Sequence, residues 1–165
     1  MNIAIVGATG NVGRKTLEVL EKKGLKIDNL YLVASSKSAG TKIKFKGKEY
    51  EVSDLENFDF SKAKIIFFAA GGKISEKFAE KASKSSFVID NSSFFRMNQD
   101  VPLIVPQVNP EDLKNIKKNI IANPNCSTAQ LVIALKPLHD LFEIKRVVVS
   151  TYQSVSGGGK APMDE

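Results

Sequence analysis

The sequence predicts an α/β fold: a doubly wound parallel sheet, followed by the start of a second, α+β domain. Three observations carry this. Short apolar runs rich in β-branched and aromatic residues alternate with segments of helical periodicity. A glycine-rich turn joins the first run to the first helical segment. Beyond residue 126 the alternation gives way to a different pattern, which stops at KAPMDE.

The first run, residues 3–6 (IAIV), is wholly apolar, as expected of a parallel strand buried on both faces. Val12, Thr16, Val19 and Leu20 then share one helical face that ends before Gly24. Residues 30–33, 65–69, 87–89 and 120–122 repeat the strand pattern. Ile74, Phe78 and Ala82 lie a helical turn apart and predict a second helix between 65–69 and 87–89. From Ser127 a further helical pattern passes through Leu131, Leu135 and Leu138, interrupted by Pro137, and residues 146–152 (RVVVSTY) read as a strand. A strand that apolar needs neighbours on both sides, and nothing remaining in the sequence supplies them. The expected division is 1–126 for the sheet domain and 127–165 for the truncated start of the second.

Composition narrows the function classes. With 165 residues and 42% hydrophobic content the chain supports one sizeable core. The net charge of +6 is spread along the sequence, as in Lys42, Lys44, Lys46 and Lys48 or Lys114, Lys117 and Lys118, without the aromatic interleaving of a nucleic-acid face. The single cysteine leaves no internal disulfide, and with one histidine there is no zinc-type cluster. MNIAIVGATG runs straight into a strand, so neither a signal peptide nor a membrane span is expected, and the cytoplasm is the default compartment. The Asn-x-Ser matches at Asn91 and Asn125 are then coincidental.

The glycine-rich turn is GATGNVG, with Gly7, Gly10 and Gly13 around Thr9, Asn11 and Val12. Between a strand and a helix, such a loop lets the backbone approach a pyrophosphate, whose charge meets the N–H groups at the helix start. This context makes the fold Rossmann-like. The second strand ends in ASSKS, residues 34–38, without the acidic residue that commonly binds ribose hydroxyls. Lys37 with Ser35, Ser36 or Ser38 offers a cation and hydroxyls suited to a 2′-phosphate, so NADP(H) is the expected cofactor.

Residues 123–128, NPNCST, follow an apolar strand and open a helix. A cysteine there has its thiolate favoured by the helix dipole and free N–H groups, which makes Cys126 a candidate nucleophile. At this point the sequence resembles the aspartate-semialdehyde dehydrogenases: GATGNVG, SSKSAG, DNSSFFRM, DVPLIVPQVN, NPNCSTAQ and TYQSVSGGG occur in the order found in that family, across the whole chain. The resemblance implies that Thr9, Gly10, Asn11 and Val12 hold the cofactor pyrophosphate, that Lys37 and Ser38 hold its 2′-phosphate end, and that Ser156 and Gly157 meet its nicotinamide side. It casts Cys126 as the acyl-enzyme nucleophile, Gln153 as a substrate contact that positions the reacting carbonyl, and Asn125 as an adjacent amide. Asn91 and Arg96 of DNSSFFRM stand where the family binds substrate or inorganic phosphate, a task that suits a guanidinium fork. Two departures are Lys37, where arginine is frequent, and Gln107, where glutamate is common.

The chemistry so implied is reductive dephosphorylation of aspartyl 4-phosphate to aspartate 4-semialdehyde, a step toward lysine, threonine, methionine and diaminopimelate. The Cys126 thiolate displaces inorganic phosphate to give a thioester, which hydride from NADPH takes to the aldehyde level. The family's histidine base would come from beyond Glu165, so this chain alone is expected to catalyse little, and full-length partners to form a homo-oligomer. His139, within KPLHDLF, does not match that base and reads as a surface or packing residue. Two other enzymes fit less well. N-acetyl-γ-glutamyl-phosphate reductases usually have glycine before the nucleophile and tyrosine shortly after it, where this sequence has Asn125 and Ser127. Glyceraldehyde-phosphate dehydrogenases differ in the cysteine loop and commonly end the second strand in an acid. A third reading, from another class, is a dinucleotide-binding module in which Cys126 is incidental; its thiol would be inert.

Overall fold

The computed structural model describes residues 1–158. Strand β1 (Asn2–Val6) is its centre, with successive side chains passing into two different cores. Ile3 and Ile5 share a core with Leu17 and Leu20 of helix α1 (Asn11–Lys22). Ala4 and Val6 share the other with Phe78, Ala79 and Ala82 of helix α2 (Gly72–Ser83). Helix α2 buries residues 75, 78, 79, 82 and 83, the stripe that a 3.6-residue period puts on one face. Burying apolar surface on both sides of one strand is what fixes the helices to opposite faces of the sheet.

The remaining strands are β2 (Asn29–Ala34), β3 (Lys42–Phe45), β4 (Lys48–Asp54), β5 (Ile65–Phe68), β6 (Phe87–Asp90) and β7 (Ile120–Ala122). They form a seven-stranded sheet in the order β3-β4-β2-β1-β5-β6-β7, parallel throughout except for β3 against β4. This is the doubly wound, Rossmann-like arrangement that the sequence predicts.

Three features differ from the sequence expectation. First, the lysines of 42–48 belong to a hairpin. They alternate with Ile43 and Phe45, which are buried, and the chain reverses at Lys46 (φ 48°) and Gly47 (φ 78°), a two-residue turn with both centres left-handed. The charged side chains lie along the sheet's edge strand, where they oppose pairing with another chain.

Second, β5, β6 and β7 are half-buried rather than enclosed. Ile66, Phe68, Val88, Ile120 and Ala122 are buried toward α2, whereas Ile65, Phe67, Ile89 and Ile121 are only partly covered and Phe87 is exposed.

Third, the segment after Cys126 departs from the predicted helix break and strand. Helix α3 (Cys126–Phe142) runs through Pro137 without interruption and buries none of its residues. Residues 146–152 form no strand, and Val148 is 80% and Tyr152 103% exposed. A strand exists only by exchanging hydrogen bonds with a neighbour, and among the described residues none is offered.

The loop from β1 to α1 depends on two missing side chains. Gly7 has φ 85°, and a Cβ on it would lie 2.7 Å from the Ala69 carbonyl oxygen. A Cβ on Gly13 would collide with the Gly7 carbonyl oxygen, whereas on Gly10 its nearest neighbour would be that same oxygen at 3.4 Å. Gly13→Ala is therefore expected to destabilise the protein by roughly 1–3 kcal/mol through overpacking, with Gly10→Ala close to neutral for folding. Denaturant unfolding of the two variants side by side checks this, and equal stability would refute the packing account.

Candidate active site

In an open parallel sheet, ligands bind beyond the carboxyl ends of the strands where the chain turns away to either side. Here that point lies at β1, between β2 and β5. The N–H groups of Gly7 and Ala8 both donate to the Val33 carbonyl, at 2.8 and 3.2 Å, and so hold the glycine loop over the end of β2. A cleft of about 550 Å³ opens beyond the ends of β1, β5, β6 and β7. It brings together Gly10, Asn11 and Val12 from the loop and helix start, Asn91 and Arg96 after β6, Asn125 and Cys126 after β7, and Gln153, Ser156 and Gly157 from the last described segment.

Cys126 is the first residue of α3 and its thiol is exposed. The Asn125 side chain caps that helix. Its Oδ1 accepts from Ser127 N–H at 3.0 Å and from Ser127 Oγ at 2.6 Å, and the Cys126 thiol lies 3.8 Å from the same oxygen. The amide that the sequence marks as a neighbour of the candidate nucleophile thus has its oxygen committed to fixing the turn that presents the sulfur.

Arg96 is held by main-chain carbonyls. Its Nε donates to Asn123 O at 2.9 Å and one terminal nitrogen donates to Asn91 O at 3.2 Å. Asn123 Nδ2 in turn donates to Asn91 Oδ1 at 2.5 Å, which joins the ends of β6 and β7. The remaining guanidinium donors are left for the cleft that Arg96 lines. Asn123 was not singled out from the sequence, although it stands inside NPNCST; only the fold brings it beside Asn91, 32 positions away.

On the far side of the cleft, Gly157 makes room for Gln153: a Cβ there would strike the Gln153 amide nitrogen. Ser154 and Ser156 share a hydroxyl contact of 2.9 Å.

Seven of the sequence candidates do not line the cleft: Gly7, Thr9, Gly13, Ser35, Ser36, Lys37 and Ser38. Gly7 and Gly13 shape the loop from beneath, and Thr9 offers its carbonyl to Arg14 Nε at 3.1 Å. Ser35 and Ser38 close a turn just past β2, with Ser38 N–H donating to Ser35 O at 2.8 Å, and Lys37 is exposed on it. The structure also places an acid here that the linear sequence hides. Asp54 pairs with Ala34 in the β2–β4 register and accepts from Ser36 Oγ at 3.1 Å, from Glu56 N–H at 3.3 Å and from Asn57 Nδ2 at 3.2 Å.

The loop fits a dinucleotide: the helix-capping residue Gly10 carries no side chain to cover the first turn of α1, and that turn faces the cleft. His139 lines a separate groove with Leu135 and Val147, away from the sulfur. Among the described residues no group of three or more His, Cys, Asp or Glu is placed to hold a metal, and no helix is long and apolar enough to cross a membrane.

Losing the Asn125 cap is expected to cost about 1 kcal/mol in the first turn of α3. The measurement is amide exchange at Ser127, faster in Asn125→Ala and restored in Asn125→Ser. Unchanged exchange in the alanine variant would show that the cap does not hold the turn.

Comparison with known proteins places this arrangement. Residues 2–116 match the family model of the semialdehyde dehydrogenase NAD-binding domain, and residues 135–165 match that of the semialdehyde dehydrogenase dimerisation domain. The aspartate-semialdehyde dehydrogenases of Campylobacter jejuni and Aquifex aeolicus are each 55% identical, over 99% of this chain and 49% of theirs. The structure of aspartate-semialdehyde dehydrogenase II from Vibrio cholerae, in complex with ASA, superposes with a TM-score of 0.95 at 50% identity, covering 99% of this chain and 49% of that one. An aspartate-semialdehyde dehydrogenase with NADP from Candida albicans superposes with a TM-score of 0.68 at 30% identity, covering 87% and 48%. The chain spans about half the length of the curated relatives it matches. With the NAD-binding model matched across most of its length, this chain belongs to the semialdehyde dehydrogenase family.

Proposed function

We propose that the chain carries the cofactor site and the nucleophile of a phosphorylating, NADP-linked aspartate-semialdehyde dehydrogenase, which converts aspartyl 4-phosphate to aspartate 4-semialdehyde in aspartate-family amino-acid synthesis. The observation that carries this reading is one cleft that holds a dinucleotide-type glycine loop, an exposed thiol at a helix start and a guanidinium with donors to spare.

Each residue then has a task. Cys126 Sγ attacks the acyl carbon of the substrate, and Arg96 and Asn91 hold the phosphoryl group that leaves as inorganic phosphate. A thioester remains on the sulfur. Gly10, Asn11 and Val12 receive the cofactor pyrophosphate, with Thr9 ahead of them and Gly7 and Gly13 shaping the loop; Ser35, Lys37 and Ser38 receive the 2′-phosphate; Ser156 and Gly157 flank the nicotinamide. When bound, NADPH supplies the hydride that brings the acyl group to the aldehyde level. Gln153 and Asn125 keep the carbonyl and the sulfur aligned. Release of the aldehyde returns Cys126 to the thiolate.

The 1–126 segment acts as the NADP-binding domain and 127–165 as the beginning of the catalytic and dimerisation domain. That second part exposes Leu141, Phe142, Val148 and Tyr152, apolar surface suited to a homo-oligomer of the full-length protein. An exposed free thiol without a disulfide partner is most readily kept reduced in the cytosol, which supports the cytoplasm. The family resemblance puts the general base outside these residues, and His139 lies in another groove, so the chain alone turns over little.

The test is phosphate-dependent NADPH formation from aspartate semialdehyde, with N-acetylglutamate semialdehyde as control, comparing the gene product read to its natural stop codon with this chain. Activity of the longer form, selective for the aspartyl substrate and abolished by Cys126→Ala, is the expected result. Activity without phosphate, or unaffected by that substitution, would overturn it. In the same assay Lys37→Ala is expected to raise KM for NADP about tenfold, the size of one charge-assisted contact, and to leave KM for NAD unchanged. A parallel rise for both cofactors would remove Lys37 from the 2′-phosphate site.

A further inference from the structure

At the end of β6 stands a carboxylate to which the chemistry above gives no task. Asp90 is 0% exposed, and it is the one charged residue in the buried set of the described chain. Burying a carboxylate opposes folding unless its oxygens are fully hydrogen-bonded, and an apolar side chain of similar volume is often the more stable choice. Its partners here are uncharged. Ser75 Oγ donates to Oδ1 at 2.6 Å, Ser92 N–H donates to Oδ1 at 3.1 Å, and Ser92 Oγ donates to Oδ2 at 2.7 Å.

These partners connect Asp90 to the site. Ser75 belongs to α2, so the carboxylate ties the strand end to the helix beneath it. Ser92 Oγ accepts from Phe94 N–H at 3.1 Å and Arg96 N–H donates to Ser93 O at 3.3 Å, which folds the chain back after β6. The buried Phe95 pins that turn. On the main chain, Asp90 O accepts from Asn123 N–H at 2.8 Å, and Asn91 N–H donates to Phe68 O at 3.0 Å. The two carbonyls that grip Arg96, those of Asn91 and Asn123, are therefore the ones next to the Asp90 backbone.

We propose that Asp90 is a positioning residue for Arg96: by holding Ser75 and Ser92 it fixes the one turn in which the guanidinium reaches both carbonyls and still faces the cleft. It touches neither substrate nor cofactor. The proposal rests on the reading of Arg96 as the phosphate ligand.

The experiment uses the full-length protein and two readouts: KM for inorganic phosphate, and the phosphate concentration that half-protects Cys126 from alkylation. Asp90→Asn keeps the shape of the side chain but puts a donor where Ser92 Oγ now donates. It is expected to raise both values about tenfold, as one weakened contact to a charged group would, with KM for NADP unchanged. In an Arg96→Ala background the same substitution should have no further effect, because residues acting through one group are not additive. Ser75→Ala, which reaches the carboxylate from α2, should reproduce the Asp90→Asn result and serves if that variant folds poorly. Full additivity with Arg96→Ala, an unchanged phosphate value, or an equal rise for NADP would overturn the positioning role alone. If Arg96→Ala itself leaves phosphate binding intact, the phosphate reading of Arg96 falls, and this inference with it.

Discussion

Parallel pairing obliges neighbouring strands to leave the sheet at the same edge, and the rest of this structure follows from that constraint. β1, β5, β6 and β7 run side by side in one direction, so the segments after Val6, Phe68, Asp90 and Ala122 emerge together. Three of those four segments carry the glycine loop, the Arg96 turn and the Cys126 turn. Distances of tens of residues in sequence become adjacency at one edge. The residues these segments give to the cleft lie within a few positions of a hydrogen-bonded strand, whereas Gln153, Ser156 and Gly157 reach it from beyond helix α3.

What the strands bring near, main-chain polar groups then hold in place. Asn123 N–H, Asn123 Nδ2 and Arg96 Nε all join the end of β6 to the end of β7 or to the chain between them. A guanidinium spread over two carbonyls is restrained at modest entropic cost, since its planar fork is already formed. On the proposed reading, the anion that Arg96 receives would meet a donor set that needs no reorganisation, which is how preorganised sites gain their effect.

Periodicity made part of this legible in advance and obscured the rest. IAIV, the α1 face and the spacing of Ile74, Phe78 and Ala82 translate directly, because burial imposes periods of 2 and 3.6 on apolar residues. The β3–β4 hairpin was legible in principle, with Ile43, Phe45, Tyr50 and Val52 alternating about Lys46–Gly47, but the interleaved lysines drew the pattern toward a solvated surface. Residues 146–152 show the converse: a strong local β signal yields no strand when none of the described residues offers a partner. Cys126 stood out because a loop-to-helix junction is a local feature. The Arg96 clamp did not, since it consists of carbonyls, which every residue has, and only the β6–β7 register selects those of Asn91 and Asn123.

The same register logic changes the account of the cofactor pocket. From the sequence, the absence of an acid after β2 favours a 2′-phosphate. The structure returns an acid to that place, because pairing of β2 with β4 sets Asp54 opposite Ala34. A carboxylate there would repel a phosphate and welcome a ribose diol. Its oxygens, however, are engaged by Ser36, by the Glu56 amide and by Asn57, so that it caps the short helical turn over Leu55–Asn57. The neighbouring cation, Lys37, stands exposed on the turn that Ser36 anchors. The carboxylate oxygens that could take a ribose diol are already engaged, and on the proposed reading the exposed Lys37 is the charge that meets a 2′-phosphate. On the proposed reading, a preference for NADP depends on how Asp54 and Lys37 are partnered, and not on the lack of an acid.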